Sequence, residues 1–406
     1  MPRSYRTVAV VGGGASGMMA ALTAARTPGR RVFLLERQQR IGRKLLATGN
    51  GRCNLTNVNV QPEDYFGADG SFADTAIRKF TPQHTLRFFS ELGLLTVTEQ
   101  NGRVYPLSDS ANSVLDVLRF ALDQAGVEQR CSFPVERISH TSSSFLLESG
   151  TETIAADAVI LACGGAAGSR LGGVTDGYKL GKALGHRRTG LYPSLTRILT
   201  ISDYPRSLKG IRVEASLRLT KNNRLLAESA GEVQFTDTGI SGPAGFDLSR
   251  AVSFGGDGQV LHISLLPFGE AELVSLLSAR SARFPDLESS ELFTGMLHNR
   301  LGRIVVKAAG ITADKSMKDL SDSELLEAAH RCLDFCLPVR GVEGFEAAQV
   351  TAGGLMTDSF NPDTLESRLV PGLFACGELL DVDGPCGGYN LQWAWASGHL
   401  AGRLGS

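Results

Sequence analysis

Three glycines, Gly12, Gly14 and Gly17, stand in the order G-x-G-x-x-G directly after the short apolar run Thr7–Val11. That spacing suits the binding of a dinucleotide pyrophosphate. The first glycine permits a tight turn, the second lets backbone approach the phosphates, and the third lets a helix pack closely on a strand. Ala15 and Ser16 lie between them, where a starting helix presents unpaired N–H groups and partial positive charge to an anion. Glu36 follows Gly17 by 19 residues and ends a second apolar run, Arg31–Glu36. A carboxylate there accepts hydrogen bonds from ribose hydroxyls and repels a 2′-phosphate.

A second group of residues can serve the same ligand. Gly42 to Asn54 holds the cations Arg43, Lys44 and Arg52 around a tight Gly49-Asn50-Gly51 loop, with Cys53 next to it. Late in the chain, Leu373-Phe374-Ala375 reads as a strand and runs into Gly377-Glu378. An acid in that turn suits a ribityl hydroxyl and so favours FAD over NAD alone. Gly387-Gly388-Tyr389-Asn390-Leu391 then opens a final helix, whose N–H groups can stabilise negative charge on a reduced flavin. The expected cofactor contacts are Gly12, Gly14, Ala15, Ser16, Gly17, Glu36, Arg37, Arg43, Lys44, Asn50, Gly51, Arg52, Cys53, Val135, Cys163, Gly164, Gly377, Glu378, Gly388, Asn390 and Leu391. Arg52, Cys53 and Tyr389 are the candidates for a catalytic part. FAD is expected to be held non-covalently, since no His or Cys stands in a tethering motif, although Cys53 is a neighbour.

The elements that must position these residues follow from the pattern. Thr7–Val11 and Arg31–Glu36 read as buried parallel strands around a helix at Met18–Arg26, a βαβ unit. Helices are expected at Thr81–Leu92, at Ser110–Gly126 with Ser110 as cap, and at Gly177–Leu184. Strands are expected within Ser132–Leu147 and at Ala158–Ala162, the latter ending in Cys163-Gly164. From about Leu191 the texture changes. Ile211–Leu219 and Val260–Leu266 alternate as antiparallel strands, and Glu270–Ala282, Ser290–Leu301 and Ser321–Phe335 read as amphipathic helices. The fold expected is α/β: a Rossmann-like FAD-binding domain formed by both chain ends (1–189 and 349–406), with a mixed β and helical domain inserted at 190–348.

These motifs resemble a known bacterial family. The Gly-Gly-Gly-Ala-Ser-Gly opening, Arg43 to Asn54, Thr236-Asp237-Thr238-Gly239-Ile240-Ser241-Gly242-Pro243, Thr351-Ala352-Gly353-Gly354 and Gly377 to Trp393 carry the likeness along essentially the whole chain. The family is that of single-subunit FAD flavoproteins that includes the bile-acid 3-dehydro-Δ4,6-reductase, the ribosomal RNA dihydrouridine synthase and an aminoacetone oxidase. It often has Thr or Ser where this chain has Cys386. The resemblance implies a FAD domain split around an insertion that covers the flavin and binds substrate.

Other features narrow the class. The chain has 406 residues, a net charge of −1 and seven scattered cysteines. No global charge draws it to nucleic acid or membrane, and the odd cysteine count suits a reducing cytoplasm. No apolar stretch is long enough to span a bilayer. The N-terminal residues Met1 to Arg6 read as a lead-in to the first strand. A second G-x-G-x-x-G is missing, so NAD(P)H is expected as a transient electron donor. Cys332 and Cys336 read as packing residues one helical turn apart, the seven histidines form no ligand cluster, and no metal is expected. Nine Lys or Arg in Arg187–Arg224 against Asp203 and Glu214 form one basic run, which keeps ribosomal RNA open as a partner. The function expected is reduction of a carbonyl-conjugated C=C bond in a small enone-like substrate. The alternatives are amine or aminoacetone oxidation by dioxygen, and reduction of uridine in ribosomal RNA.

Overall fold

The computed structural model describes residues 5–141 and 144–405. The expected lead-in at residues 1–4, and positions 142 and 143 of the expected strand region, lie outside the described residues. The chain divides into two compact units. One comprises the chain up to Tyr192 together with the segment from Phe345, and the other is Pro193–Gly344.

The first unit is built on a five-stranded parallel sheet. Its spatial order is Leu373–Ala375, Ala158–Leu161, Thr7–Val11, Arg31–Leu35, Glu128–Arg130. Val10 lies opposite Leu34 on one side and Ile160 on the other. All of Val8–Val11 are buried, as a sheet covered on both faces requires. The strand order reverses at Thr7–Val11, so a crevice opens at the carboxyl ends of that strand and its neighbour Ala158–Leu161. The helix after the first strand runs Ala15–Ala25, earlier than the expected start at Met18, so Gly17 belongs to its first turn. The final helix, Tyr389–Gly402, packs along it. A β-carbon at Gly398 would meet Ser16 O at 2.4 Å, and one at Gly402 would meet Ala20 O at 2.6 Å. Only glycine allows this approach.

Other boundaries move for local reasons. Ser110 occupies the N-cap of Ala111–Gln124, but its side chain makes no capping bond. The expected helix Ser290–Leu301 is a 3-10 turn at Ser289–Glu291 followed by a helix at Asn299–Ala308. Gly295, at φ +87°, stops any earlier helix. The expected helix Ser321–Phe335 ends at Leu333, and Cys336 lies on a strand.

The second unit is a closed antiparallel barrel in the order Ile198–Thr200, Gly239–Ser241, Arg224–Phe235, Arg212–Lys221, Gln259–Ser264, Phe335–Val342. Ala215, Leu217, Leu219, Leu261, Ile263 and Leu337 alternate into its core. Helix Pro243–Gly255 adds Ala244, Leu248 and Val252 to that core. The basic run does not make a bare cationic stripe. Arg187 pairs with Asp358, Arg197 with Glu343, Lys209 with Asp237, Arg212 with Glu232 and Arg218 with Asp334. Among the described residues no helix is long and apolar enough to cross a membrane.

His399 gives this fold a pH response. It stacks on Phe80 at 4.6 Å, and burial, with Arg26 and Arg403 nearby, pushes its pKa down to about 4. A histidine depressed in the folded state contributes stability above its unfolded value near 6.5, and loses it as pH falls toward 4. The expected result is a melting temperature that declines between pH 6.5 and 4.5, less steeply in His399→Gln. Parallel declines in the two proteins would remove His399 from that account.

Candidate cofactor site

The glycine motif makes the site from backbone. Gly12 sits at φ +114°, and a β-carbon there would strike Ala162 O at 2.3 Å. This brings the end of the first strand against Cys163-Gly164, where Gly164 takes φ +71°. A β-carbon at Gly17 would lie 1.8 Å from Gly12 O, whereas one at Gly14 would meet nothing within 4 Å. Gly12 and Gly17 are therefore required by the fold, and Gly14 faces open space. The helix beginning at Ala15 has no acidic residue in its first turn, so nothing in that turn offsets its positive end. The three features together form a cradle that fits a pyrophosphate.

Glu36 closes one side of that cradle. Its carboxylate accepts from Gly13 N at 2.8 Å and Gln38 N at 2.7 Å. A carboxylate offers about four acceptor positions, so hydroxyl donors still find room. Arg37 pairs with Asp176, and Arg43 donates to Gln38 Oε1. Val135 is buried beyond the strand Glu128–Arg130.

Two motifs far apart in the chain meet here. Lys44 Nζ donates to Glu378 Oε2 at 2.6 Å, and Glu378 Oε1 accepts from Thr351 N at 2.8 Å. Thr351 Oγ1 in turn accepts from Ala167 N. The Gly377-Glu378 turn is held from the last helix, with Ser397 Oγ accepting from Gly377 N and Trp393 Nε1 donating to Gly377 O. At that helix's start Gly388 is left-handed, φ +103°. Asn390 fastens the preceding loop, accepting from Gly384 N and donating to Gly384 O and Pro385 O. Leu391, partly buried, packs against the core. Asn54 Oδ1 is buried without a partner, 3.0 Å from where a Gly388 β-carbon would be. An orphaned acceptor between two motif segments marks a place for a donor from a ligand.

The catalytic candidates separate. Arg52 hydrogen-bonds Asp109 and Glu99 and lies 3.9 Å over the Tyr105 ring, so its charge is already balanced by two carboxylates. Asn50, Gly51 and Cys53 all take positive φ in the loop around it. Cys53 is fully buried, and burial pushes its thiol up to about 12. Cys163 is likewise raised to about 12 by burial. Both stay protonated at neutral pH, and a thiol is a poor nucleophile. Iodoacetamide at pH 7.5 is expected to leave Cys53 unlabelled in the native protein and to label it on unfolding. Fast native labelling, read by peptide mass, would contradict this. Tyr389 begins the last helix, and its carbonyl accepts from Tyr65 OH.

Several positions in this network do not stand out in the sequence. Gln392 is fully buried, with Oε1 accepting from Thr56 and Thr85 hydroxyls and Nε2 donating to Phe80 O. Thr351 and Ser397 make two bonds each: Thr351 donates its N–H to Glu378 and accepts from Ala167 N, and Ser397 Oγ accepts from Gly377 N and donates to Trp393 O. Their residue types are common in helices and strands, and only the Thr351-Ala352-Gly353-Gly354 run hints at a role.

Residues 6–404 match the family described as HI0933-like protein Rossmann domain. The 3-dehydro-bile acid delta(4,6)-reductase of Clostridium scindens is 39% identical over 402 residues, covering 98% of each chain. The ribosomal RNA dihydrouridine synthase of Escherichia coli is 30% identical over 392 residues, covering 96% of this chain and 95% of that protein. Its namesake in Haemophilus influenzae is 27% identical over 403 residues, 97% of each. With its glycine cradle and its Lys44–Glu378 junction in place, the chain belongs to the HI0933-like Rossmann-domain family of FAD-type oxidoreductases.

Proposed function

We propose that this protein binds FAD non-covalently and uses electrons from NAD(P)H to reduce a carbonyl-conjugated C=C bond in a small, steroid-like molecule. The observation that carries this reading is the 39% identity to the protein named 3-dehydro-bile acid delta(4,6)-reductase, along 98% of both chains. The segments 1–189 and 349–406 serve as the flavin domain, and 190–348 as the substrate domain. Gly12, Gly14, Ala15, Ser16 and Gly17 hold the pyrophosphate, and Glu36 the ribose. Lys44 and Glu378 stand as one polar unit beside it, with Cys163-Gly164 at the crevice edge. The bound flavin would supply the two-electron redox chemistry.

The chain's own share is binding and polarisation. The N–H groups opening the helix Tyr389–Gly402, from Gly388 to Leu391, offer partial positive charge to an oxyanion. Tyr389 is the hydroxyl candidate for a hydrogen bond to a substrate carbonyl. Arg52, bound to Glu99 and Asp109, acts as a positioning residue for its loop rather than as a flavin-facing cation. A cytoplasmic location accords with seven cysteines, none of which forms a disulfide among the described residues.

Uridine reduction in ribosomal RNA is the second reading, favoured by the 30% identity to the Escherichia coli synthase. Against it, five of the nine cations in the run 187–224 are in ion pairs. Steady-state assays decide between them. Purified protein, NAD(P)H and a 3-oxo-Δ4,6 steroid are expected to give a product two mass units heavier, in 50 mM and 200 mM salt alike. Dihydrouridine formed in a ribosomal RNA fragment, with activity falling steeply over that salt range, would establish the RNA reading instead. Rapid peroxide production from aminoacetone in air would overturn both.

A further inference from the structure

On the outer face of the barrel, three donor side chains from two segments gather at one spot. The antiparallel register sets His262 directly opposite Cys336, and on its other side opposite Arg218. Their neighbours Leu261, Ile263, Phe335 and Leu337 are buried in the core, so His262 and Cys336 face outward. Asp334 ends the helix Asp322–Leu333 two residues before Cys336 and turns its carboxylate to the same place. His262 Nδ1 lies 2.8 Å from Asp334 Oδ1 and 3.3 Å from Cys336 Sγ, and Sγ lies 3.4 Å from Asp334 Oδ2. His262 and Asp334 side chains retain 21% and 25% of their exposure, enough for an ion to enter.

A nucleophile relay needs the acid and the thiol on opposite ring nitrogens. Here both address Nδ1, and Nε2 meets Thr220 Oγ1 at 2.9 Å. The arrangement is that of a chelate. Tetrahedral zinc, with bonds of about 2.0 Å to nitrogen or oxygen and about 2.3 Å to sulfur, sets its donor atoms about 3.3–3.6 Å apart. Sγ already lies 3.3 Å from Nδ1 and 3.4 Å from Oδ2, within about half an ångström of that.

We propose that His262, Asp334 and Cys336 form a zinc site, with water at the fourth position, that fastens the end of helix Asp322–Leu333 to the barrel. The mixed N, O and S donor set suits zinc over magnesium or calcium. The Thr220 hydroxyl accepts from Nε2–H and holds the ring with Nδ1 toward the ion, the outer support common to metal-bound histidines. Arg218 occupies Asp334 Oδ1 at 3.2 Å and leaves Oδ2 for the metal. On binding, the Nδ1 proton moves to Nε2 and the thiol proton is lost, so one proton leaves per zinc ion.

The test uses the full-length flavoprotein, stripped with a chelator and titrated with zinc chloride by calorimetry at pH 8. The expected result is one zinc per chain, with about one proton released, measured from the heat in buffers of different ionisation enthalpy. Cys336→Ser and His262→Ala are each expected to raise Kd at least about 100-fold, and Thr220→Val about 10-fold. Their melting temperatures without zinc check that they fold. No zinc uptake by the native chain, uptake without proton release, or equal uptake by native and both ligand variants would overturn the proposal and leave the cluster a hydrogen-bonded staple.

Discussion

A Gly14→Val protein is expected to fold, to purify colourless, and to bind added FAD at least about 100-fold more weakly than wild type, about 2.7 kcal/mol. Gly14 has φ −81° and ψ −171°, an extended conformation open to valine, and its β-carbon would meet nothing within 4 Å. The added β-carbon therefore meets no protein atom, and the side chain is expected to take up the space assigned to the pyrophosphate. Melting temperatures are compared between flavin-free proteins, since a bound cofactor stabilises by mass action. Gly17→Val is the contrast. Its β-carbon would sit 1.8 Å from Gly12 O, so the helix and the first strand must part. That protein is expected to be insoluble or strongly destabilised. Normal flavin content in Gly14→Val would break the assignment of the cradle.

Gln392→Leu is expected to lower stability by about 3–9 kcal/mol, much of a typical 5–15 kcal/mol total. The glutamine amide satisfies two buried hydroxyls and one buried carbonyl, from Thr56, Thr85 and Phe80. Each group left unpaired costs about 1–3 kcal/mol. Adding Thr56→Val and Thr85→Val removes two of the three orphans, so the triple variant is expected to recover part of the loss in denaturant melts. A triple variant less stable than Gln392→Leu alone would mean that packing, not hydrogen bonding, governs the site.

The readable parts of this protein are those in which one short segment contains its own reason. Val8–Val11 and Gly12–Gly17 announce a strand, a turn and a helix because the glycines answer to their own backbone. Pairings across the chain are not announced. Lys44 could have met a phosphate as easily as Glu378, 334 positions away. The basic run looked bare because the acids that neutralise it, such as Asp237, Asp334 and Asp358, lie outside it. Cys332 and Cys336 read as one helical turn only while the helix is thought to reach Phe335. Ending it at Leu333 puts Cys336 on a strand opposite His262, a juxtaposition set by sheet register. Ser290–Leu301 has the apolar spacing of a helix, but Gly295 takes a left-handed turn in the middle of it.

The proposed activity is that of a flavin held by both chain ends and used to reduce an enone. A single-turnover experiment tests it most directly. The purified protein, its flavin reduced with one equivalent of NAD(P)H under anaerobic conditions, is mixed with a 3-oxo-Δ4,6 steroid. Oxidised-flavin absorbance is expected to return as one C=C bond is lost per flavin. A flavin that stays reduced with the enone but reoxidises at once in air with peroxide formation would contradict it.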